Sequence, residues 1–178
     1  MGKYNVSSTH SREGDLVPAV NFITRDLGEF VNLNTFDIFG NKRVVLFALP
    51  GAFTPTCSSK QVPGFEEKYE DFQDYVDEVY CLSVNDAFVM NAWRNQLDIN
   101  SVKILPDGSG EFTDAMGMTV YKDNVGFGLR SWRYAMVVNS GVIEKMFVEE
   151  GMEDNIESDP FEVSSAENVL QYLSTNPL

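Results

Sequence analysis

An unbroken apolar run at residues 43–49 constrains the fold of this chain more than any other feature. Its sequence, RVVLFAL, is β-branched and aromatic without polar alternation, which is typical of a strand buried on both faces. Pro50 ends the strand, because proline supplies no amide donor to a sheet, and helical spacing begins after Cys57. We therefore expect the Cys57 thiol at the carboxyl edge of a sheet, in the first turn of a helix, where unpaired amides and the helix dipole favour the thiolate.

The remaining patterns predict an α/β sandwich. Besides the first strand, we expect strands at 31–33, 36–39, 79–84, 102–105, 134–138 and 142–148, and helices after Cys57, at 89–97, at 112–116 and from Ser164 onward. This order predicts a mixed central sheet flanked by helices, and it fits a thioredoxin-like fold with additions at the N-terminus and in the middle. We expect a single domain over 1–178, with residues 1–15 loosely ordered.

The charge of the chain argues against nucleic acids and membranes as partners. The 178 residues carry a net charge of −14, with acidic side chains concentrated in 66–78 and 149–162. Nucleic acids and anionic membranes bind basic clusters, which these segments lack. The acidic segments are either a solvated surface or a binding site for a basic partner protein. No apolar run approaches the roughly 20 residues that span a bilayer, and the N-terminus has no signal-peptide pattern, so we expect a cytoplasmic protein.

The cysteine and histidine content predicts no cofactor. Cys57 and Cys81 are too few for the disulfide framework of secreted proteins, and His10 alone does not complete a zinc site with them. The chain has no phosphate-binding loop, and the glycine pair at 126–128 is too short for a dinucleotide fingerprint. We therefore expect neither a metal nor a nucleotide.

The residue types around Cys57 suit thiol chemistry. The Thr54 hydroxyl can hydrogen-bond the sulfur or an incoming oxygen atom, and Pro50 and Pro55 stiffen the turn. A nearby arginine would stabilise both a thiolate and the charge that develops during its attack. The alternative interpretation of Cys57 is a buried structural thiol, a common fate of free cysteine.

The turn resembles the active-site motif of the peroxiredoxins. Pro50-x-x-x-Thr54-x-x-Cys57 matches that motif, and the longer run 50–58 is similar to the type II (peroxiredoxin five) group. The resemblance covers about residues 15–175 and is carried further by residues 62–65, 82–89 and 133–138. It implies a thioredoxin-like fold with peroxiredoxin-type additions.

The resemblance also implies a thiol-dependent peroxidase that reduces hydrogen peroxide and organic hydroperoxides. Cys57 would be the peroxidatic nucleophile, which attacks the terminal oxygen and becomes a sulfenic acid. Thr54 would hydrogen-bond the peroxide, Pro50 would shield the pocket, and Arg133 would polarise the peroxide and stabilise the thiolate. Arg130 is the nearby alternative to Arg133, but it lacks the apolar pattern that follows Arg133.

The chain departs from animal members of the group in its second, resolving cysteine. The corresponding stretch, 161–166, contains no cysteine, whereas Cys81 lies where plant members carry their second cysteine. Cys81 falls in a predicted buried strand, so a bridge to Cys57 would require the helix start to unwind. Cys81 is therefore either a core residue or a resolving thiol. The lack of a well-placed second thiol favours a one-cysteine mechanism, regenerated by glutathione with glutaredoxin or by thioredoxin.

The resemblance also bears on how the chain assembles, and two alternative functions stand beside the peroxidase. Members of the group commonly form homodimers through loops near the active site, and by analogy Phe53 is a candidate contact, unless it packs in its own core. A disulfide oxidoreductase is disfavoured, because Cys57-Ser58-Ser59-Lys60 offers no second thiol. A peroxide-sensing or chaperone-like redox protein on the same fold is the non-enzymatic alternative.

Overall fold

The computed structural model describes residues 12–178. In chain order its strands are β1 (Asn21–Asp26), β2 (Glu29–Asn34), β3 (Arg43–Ala48), β4 (Glu78–Ser83), β5 (Lys103–Pro106), β6 (Thr119–Tyr121), β7 (Leu129–Ser131), β8 (Tyr134–Asn139) and β9 (Val142–Val148). Its α-helices are α1 (Thr35–Phe39), α2 (Val62–Glu67), α3 (Tyr69–Gln73), α4 (Ala87–Gln96), α5 (Glu111–Ala115) and α6 (Ala166–Thr175). A π-helical turn, Cys57–Gln61, leads into α2, and none of the helices in this part of the chain is long and apolar enough to cross a membrane.

The central sheet mixes parallel and antiparallel neighbours, which confirms the predicted fold class. Its strand order is β5-β4-β3-β8-β9, with β4 parallel to both β3 and β5. The other two pairs, β3 with β8 and β8 with β9, are antiparallel. All six residues of β3 are buried, as its uniformly apolar sequence predicts for the middle of a covered sheet. The carboxyl end of β3 therefore lies beside the amino end of β8.

The two faces of the sheet bury separate apolar cores. Val45 and Phe47 of β3 point to the face covered by α2, α3, α4 and α6, where the Phe47 ring stacks on Phe65 with centroids 3.9 Å apart. Cys57 and Cys81 both belong to this core. The helix that begins at the cysteine turn is thus packed on the sheet by aromatic side chains, which fix its position relative to β3.

Two hairpins beside the main sheet are the additions to the basic fold. β1 pairs with β2 and β6 with β7, both antiparallel, although the sequence patterns predict only β2 among these four strands. The expected strand at 36–39 is wrong, because these residues belong to α1. The side chain of Asn34 accepts a hydrogen bond from the N–H of Asp37, and the Asp37 carboxylate accepts one from the N–H of Asn34. This reciprocal cap overrides the strand preference of the segment.

The expected loosely ordered segment, residues 1–15, falls largely outside the described residues, and so does His10. Within its last four residues, the Gly14 N–H donates to the carbonyl of Ile143 over 2.8 Å, and Arg12 Nη1 donates to the carbonyl of Ala115 over 2.6 Å. These bonds attach the start of the described chain to β9 and to the end of α5.

Glu66 at the end of α2 caps the segment that leads into β5. Its two carboxylate oxygens accept hydrogen bonds from the backbone N–H groups of Asn100, Ser101 and Val102, at 2.8 to 3.2 Å. Burial of Glu66 opposes its ionisation, but these hydrogen bonds together outweigh burial and lower its pKa. The carboxylate therefore stabilises the fold in its charged form.

We predict that Glu66→Gln lowers the free energy of unfolding by about 1 kcal/mol at neutral pH, because charge-assisted hydrogen bonds become neutral ones. Since the pKa of Glu66 is lowered in the folded state, this contribution is lost as the pH falls through that value. Urea unfolding at about pH 7 and about pH 3 should therefore show the difference between the two proteins shrinking in acid. Glu67→Gln, at the exposed neighbouring position, is the control. Equal effects of the two substitutions would contradict the cap.

Candidate active site

The end of β3 places Cys57 at the start of a helix, where the sequence predicts it. The chain leaves β3 at Ala48, turns through Pro50, and makes its first intrahelical bond from the Ser58 N–H to the Thr54 carbonyl over 3.0 Å. The amide of Cys57 precedes that first donor and has no intrahelical acceptor. The thiol is fully buried, so the helix start shields it from bulk water.

The helix that carries Cys57 begins with a wide turn. The Val62 N–H donates to the Cys57 carbonyl, five residues earlier, and regular α-helix follows. Pro63 has no N–H to donate, so the pitch changes beside it, as its position in the sequence predicts. Wide turns of this kind are common at functional sites.

The turn between β3 and the helix is held by side-chain hydrogen bonds. Thr54 Oγ1 donates to the Gly51 carbonyl over 2.7 Å, and the Ala52 N–H donates to Asn85 Oδ1 over 3.0 Å. Because the Thr54 hydroxyl hydrogen is engaged inside the turn, the lone pairs of its oxygen are available to accept a hydrogen bond from a ligand.

Arg133 lies directly beside the cysteine. Ala48 pairs with Tyr134 across β3 and β8, so the residue before Tyr134 lies at the edge of the sheet where Cys57 enters its helix. Arg133 Nη1 donates to Cys57 Sγ over 3.5 Å, and the arginine is only 1% exposed. The two residues are 76 positions apart in the chain, and the antiparallel strand pair brings them together.

Two residues that the sequence analysis missed hold the arginine in place. Gln61 Oε1 accepts a hydrogen bond from Arg133 Nη1, and Gln61 Nε2 donates to the Ala48 carbonyl over 3.3 Å. Asp159 Oδ1 accepts from Arg133 Nη2 over 2.5 Å. Gln61 lies four residues after Cys57, on the same face of the helix, and this spacing was a usable signal. Asp159 lies in an irregular acidic segment that offers no such signal.

Arg130, the alternative to Arg133, donates its hydrogen bonds to the turn and not to the sulfur. Its Nη1 donates to the Pro50 carbonyl over 3.3 Å, and its Nε donates to the Phe127 carbonyl over 3.2 Å. Burial lowers the pKa of the Arg130 guanidinium, and the charge of the nearby Cys57 opposes that shift. A Cβ atom on Gly51 would lie 2.7 Å from Arg130 Nη1, so a glycine at that position lets the guanidinium approach the turn. Pro50 itself is buried and borders the pocket described next.

Cys81 lies in the middle of the sheet, on β4 beside Phe47 of β3. It is a free thiol with no exposed surface. Burial, and secondarily the charge of the nearby Cys57, raises the pKa of the Cys81 thiol well above its ordinary value. In this folded state Cys81 is therefore a core residue that does not form a thiolate.

A pocket of about 270 Å³ opens beside the cysteine turn. Pro50 and Thr54 border it on one side, and the β6–β7 turn and the segment before α6 complete its walls. Within residues 12–178 no group of three or more His, Cys, Asp and Glu side chains could hold a metal ion. A buried sulfur beside a guanidinium, next to a small pocket, is an arrangement for thiolate chemistry.

Comparison with known proteins identifies the family. The family model named Redoxin matches residues 12–170. A peroxiredoxin of Sinorhizobium fredii is 56% identical over 169 residues, which cover 89% of this chain and 90% of that protein. The chain belongs to the redoxin family. Among redoxins it is a peroxiredoxin, an oxidoreductase that acts on peroxides and needs no prosthetic group.

Two further comparisons refine the assignment. The hybrid peroxiredoxin hyPrx5 of Haemophilus influenzae is 50% identical over 165 residues, which cover 92% of this chain and 67% of that protein. The crystal structure of a Plasmodium falciparum antioxidant protein, described as a 1-Cys peroxiredoxin, superposes with a TM-score of 0.89 at 39% identity. That match covers 93% of this chain and all of the other. The resemblance to the type II (peroxiredoxin five) group is thereby confirmed.

Proposed function

We propose that the protein reduces hydrogen peroxide and organic hydroperoxides through Cys57. The thiolate attacks the terminal peroxide oxygen, the O–O bond breaks, and the sulfur becomes a sulfenic acid while the departing oxygen takes a proton and leaves as water or an alcohol. The observation that carries this proposal is the 3.5 Å contact between Arg133 Nη1 and Cys57 Sγ inside a buried site. A fixed cation there stabilises the anionic sulfur and the charge that passes to the leaving oxygen.

Each residue of the proposed site has a separate role. Arg133 stabilises the thiolate and polarises the peroxide. Thr54 accepts a hydrogen bond from the peroxide, which positions its terminal oxygen in line with the sulfur. Pro50 shields the reacting atoms from bulk water. Gln61 and Asp159 act through Arg133, because both bind its guanidinium.

We propose a one-cysteine cycle that depends on an external thiol. One thiol attacks the Cys57 sulfenic acid to give a mixed disulfide and water, and a second thiol releases Cys57 as the thiolate. Glutathione with glutaredoxin, or thioredoxin, would supply the electrons. The burial and the raised pKa of Cys81 support this cycle over a two-cysteine one, in which the helix start at Cys57 would have to unwind.

The proposed setting is the cytoplasm, where such thiol systems keep cysteines reduced. We also propose a homodimer in which Phe53 contributes a contact near the active site. Phe53 has a positive φ of 65° and is 47% exposed, while its ring lies 6.5 Å from that of Trp93. A large aromatic side chain held on a strained turn and half exposed suits a subunit interface.

We predict that Cys57→Ser abolishes hydroperoxide consumption in the presence of glutathione and glutaredoxin, since the hydroxyl cannot replace the thiolate. Cys81→Ala is the control and should retain turnover, because Cys81 takes no part in a one-cysteine cycle. Peroxide disappearance is the measurement. Undiminished consumption by Cys57→Ser would refute the peroxidase, and turnover that disappears in Cys81→Ala would refute the one-cysteine cycle.

We predict that Arg133→Lys slows the oxidation of Cys57 by hydrogen peroxide on the order of 100-fold, because a lysine ammonium lacks the fork that reaches several partners at once. Stopped-flow fluorescence can follow the reaction, since Trp93 Nε1 donates to the Oγ of Ser58, the residue after Cys57, over 2.9 Å. The matched control is Arg130→Lys, which should give a clearly smaller loss. Equal losses would show that Arg130 shares the assigned role.

A further inference from the structure

Asn85 is a polar side chain beside the cysteine turn to which the proposed mechanism assigns no role. It follows β4, and its Oδ1 accepts hydrogen bonds from the Ala52 N–H over 3.0 Å and from Ser83 Oγ over 2.6 Å. Because a backbone N–H can only donate, the amide oxygen of Asn85 faces the turn, and the Ser83 hydroxyl donates to it. Ser83 is fully buried at the end of β4, so the central sheet holds this acceptor against the turn.

The peptide group between Gly51 and Ala52 connects Asn85 to Thr54. Its N–H is the group that binds Asn85 Oδ1, and its carbonyl is the Gly51 oxygen that accepts from Thr54 Oγ1 over 2.7 Å. The Thr54 N–H donates to the same carbonyl over 3.4 Å. Because a peptide group is planar and rigid, a side chain that holds its N–H also fixes the direction of its carbonyl. The orientation of the Thr54 hydroxyl therefore depends on Asn85.

The glycine in this turn explains why the peptide group needs a clamp. Glycine has more backbone freedom than any other residue, so the peptide groups beside Gly51 can rotate at little steric cost. Arg130 Nη1 donates to the Pro50 carbonyl over 3.3 Å and so holds the peptide group that precedes Gly51. Asn85 holds the one that follows it. The two peptide groups that meet at Gly51 are thus each fixed by a side chain from another part of the chain.

The direction of the Thr54 hydroxyl decides which kind of hydrogen bond it makes with a peroxide. While its hydrogen is bound to the Gly51 carbonyl, the Thr54 oxygen can only accept from a ligand. If the peptide group turned, that hydrogen would be free to donate, and the acceptor that positions the peroxide would be lost. We propose that Asn85 is a positioning residue, which fixes the Gly51–Ala52 peptide group and thereby keeps Thr54 an acceptor for the peroxide. The proposal rests on the proposed peroxidase function and adds a residue to it.

A double-mutant cycle between Asn85 and Thr54 tests the proposal, with the rate constant for oxidation of Cys57 by hydrogen peroxide measured by stopped-flow fluorescence. We expect Asn85→Ala to lower this rate constant about tenfold, the effect of one lost hydrogen bond. In the Thr54→Val background, which has no hydroxyl to orient, Asn85→Ala should change it by less than about twofold. Asn85→Asp keeps the acceptor and should retain most of the rate. Asn91→Ala, which removes a side-chain hydrogen bond on α4 away from the turn, is the control and should leave the rate unchanged.

The outcomes separate this proposal from the proposed function. Losses that simply add in the double variant overturn this proposal alone, because Asn85 would then not act through Thr54, and so does a wild-type rate in Asn85→Ala. If thermal unfolding shows that Asn85→Ala does not fold, Ser83→Ala takes its place in the cycle. It removes one of the two donors to Asn85 and should give a smaller loss that also disappears in Thr54→Val. A wild-type protein whose Cys57 is not oxidised by hydrogen peroxide contradicts the proposed function, and this proposal with it.

Discussion

The contact between Arg133 and Cys57 depends on a single feature of the sheet, the antiparallel pairing of β3 with β8. That register places the start of one strand beside the end of the other, so that a guanidinium meets a sulfur in a buried site. A buried guanidinium costs several kcal/mol in desolvation unless it is compensated. Gln61, Asp159 and the sulfur compensate Nη1 and Nη2, whereas Nε has no hydrogen-bond partner within the described residues. In the proposed mechanism, the same contacts fix the cation where negative charge develops during the attack on a peroxide, so the requirement for stability and the requirement for catalysis would coincide.

The local parts of the site could be predicted from the sequence, and its long-range parts could not. The apolar run of β3, its proline and the helical spacing after Cys57 are local signals, and they placed the thiol correctly. Arg133 came from family resemblance alone, because spacing along the chain carries no information about a strand pair formed 76 residues apart. Asp159 was indicated neither by a local sequence pattern nor by the family resemblance. The strand predicted at 36–39 was wrong for a local reason. The helix cap at Asn34 outweighs the preference of these residues for a strand.

The two cysteines show how position alone separates two identical side chains. Both are fully buried in the same core. Cys57 lies at a helix start with a guanidinium as its neighbour, whereas Cys81 lies in the centre of a sheet, where burial raises the pKa of its thiol. The first environment places a cation beside the sulfur that reacts in the proposed mechanism, and the second keeps the thiol protonated. This difference, and not the number of cysteines, supports the one-cysteine cycle.

The proposed chemistry at Cys57 is tested most directly by the intact mass of the reduced protein after one equivalent of hydrogen peroxide, with and without glutathione. A one-cysteine cycle predicts a gain of one oxygen atom, which is replaced by a glutathione adduct when glutathione is present. Peptide mapping should place both changes on Cys57. A loss of two hydrogens would show a disulfide between Cys57 and Cys81, and with it a helix start that unwinds in every cycle. An unchanged mass would contradict the peroxidase itself.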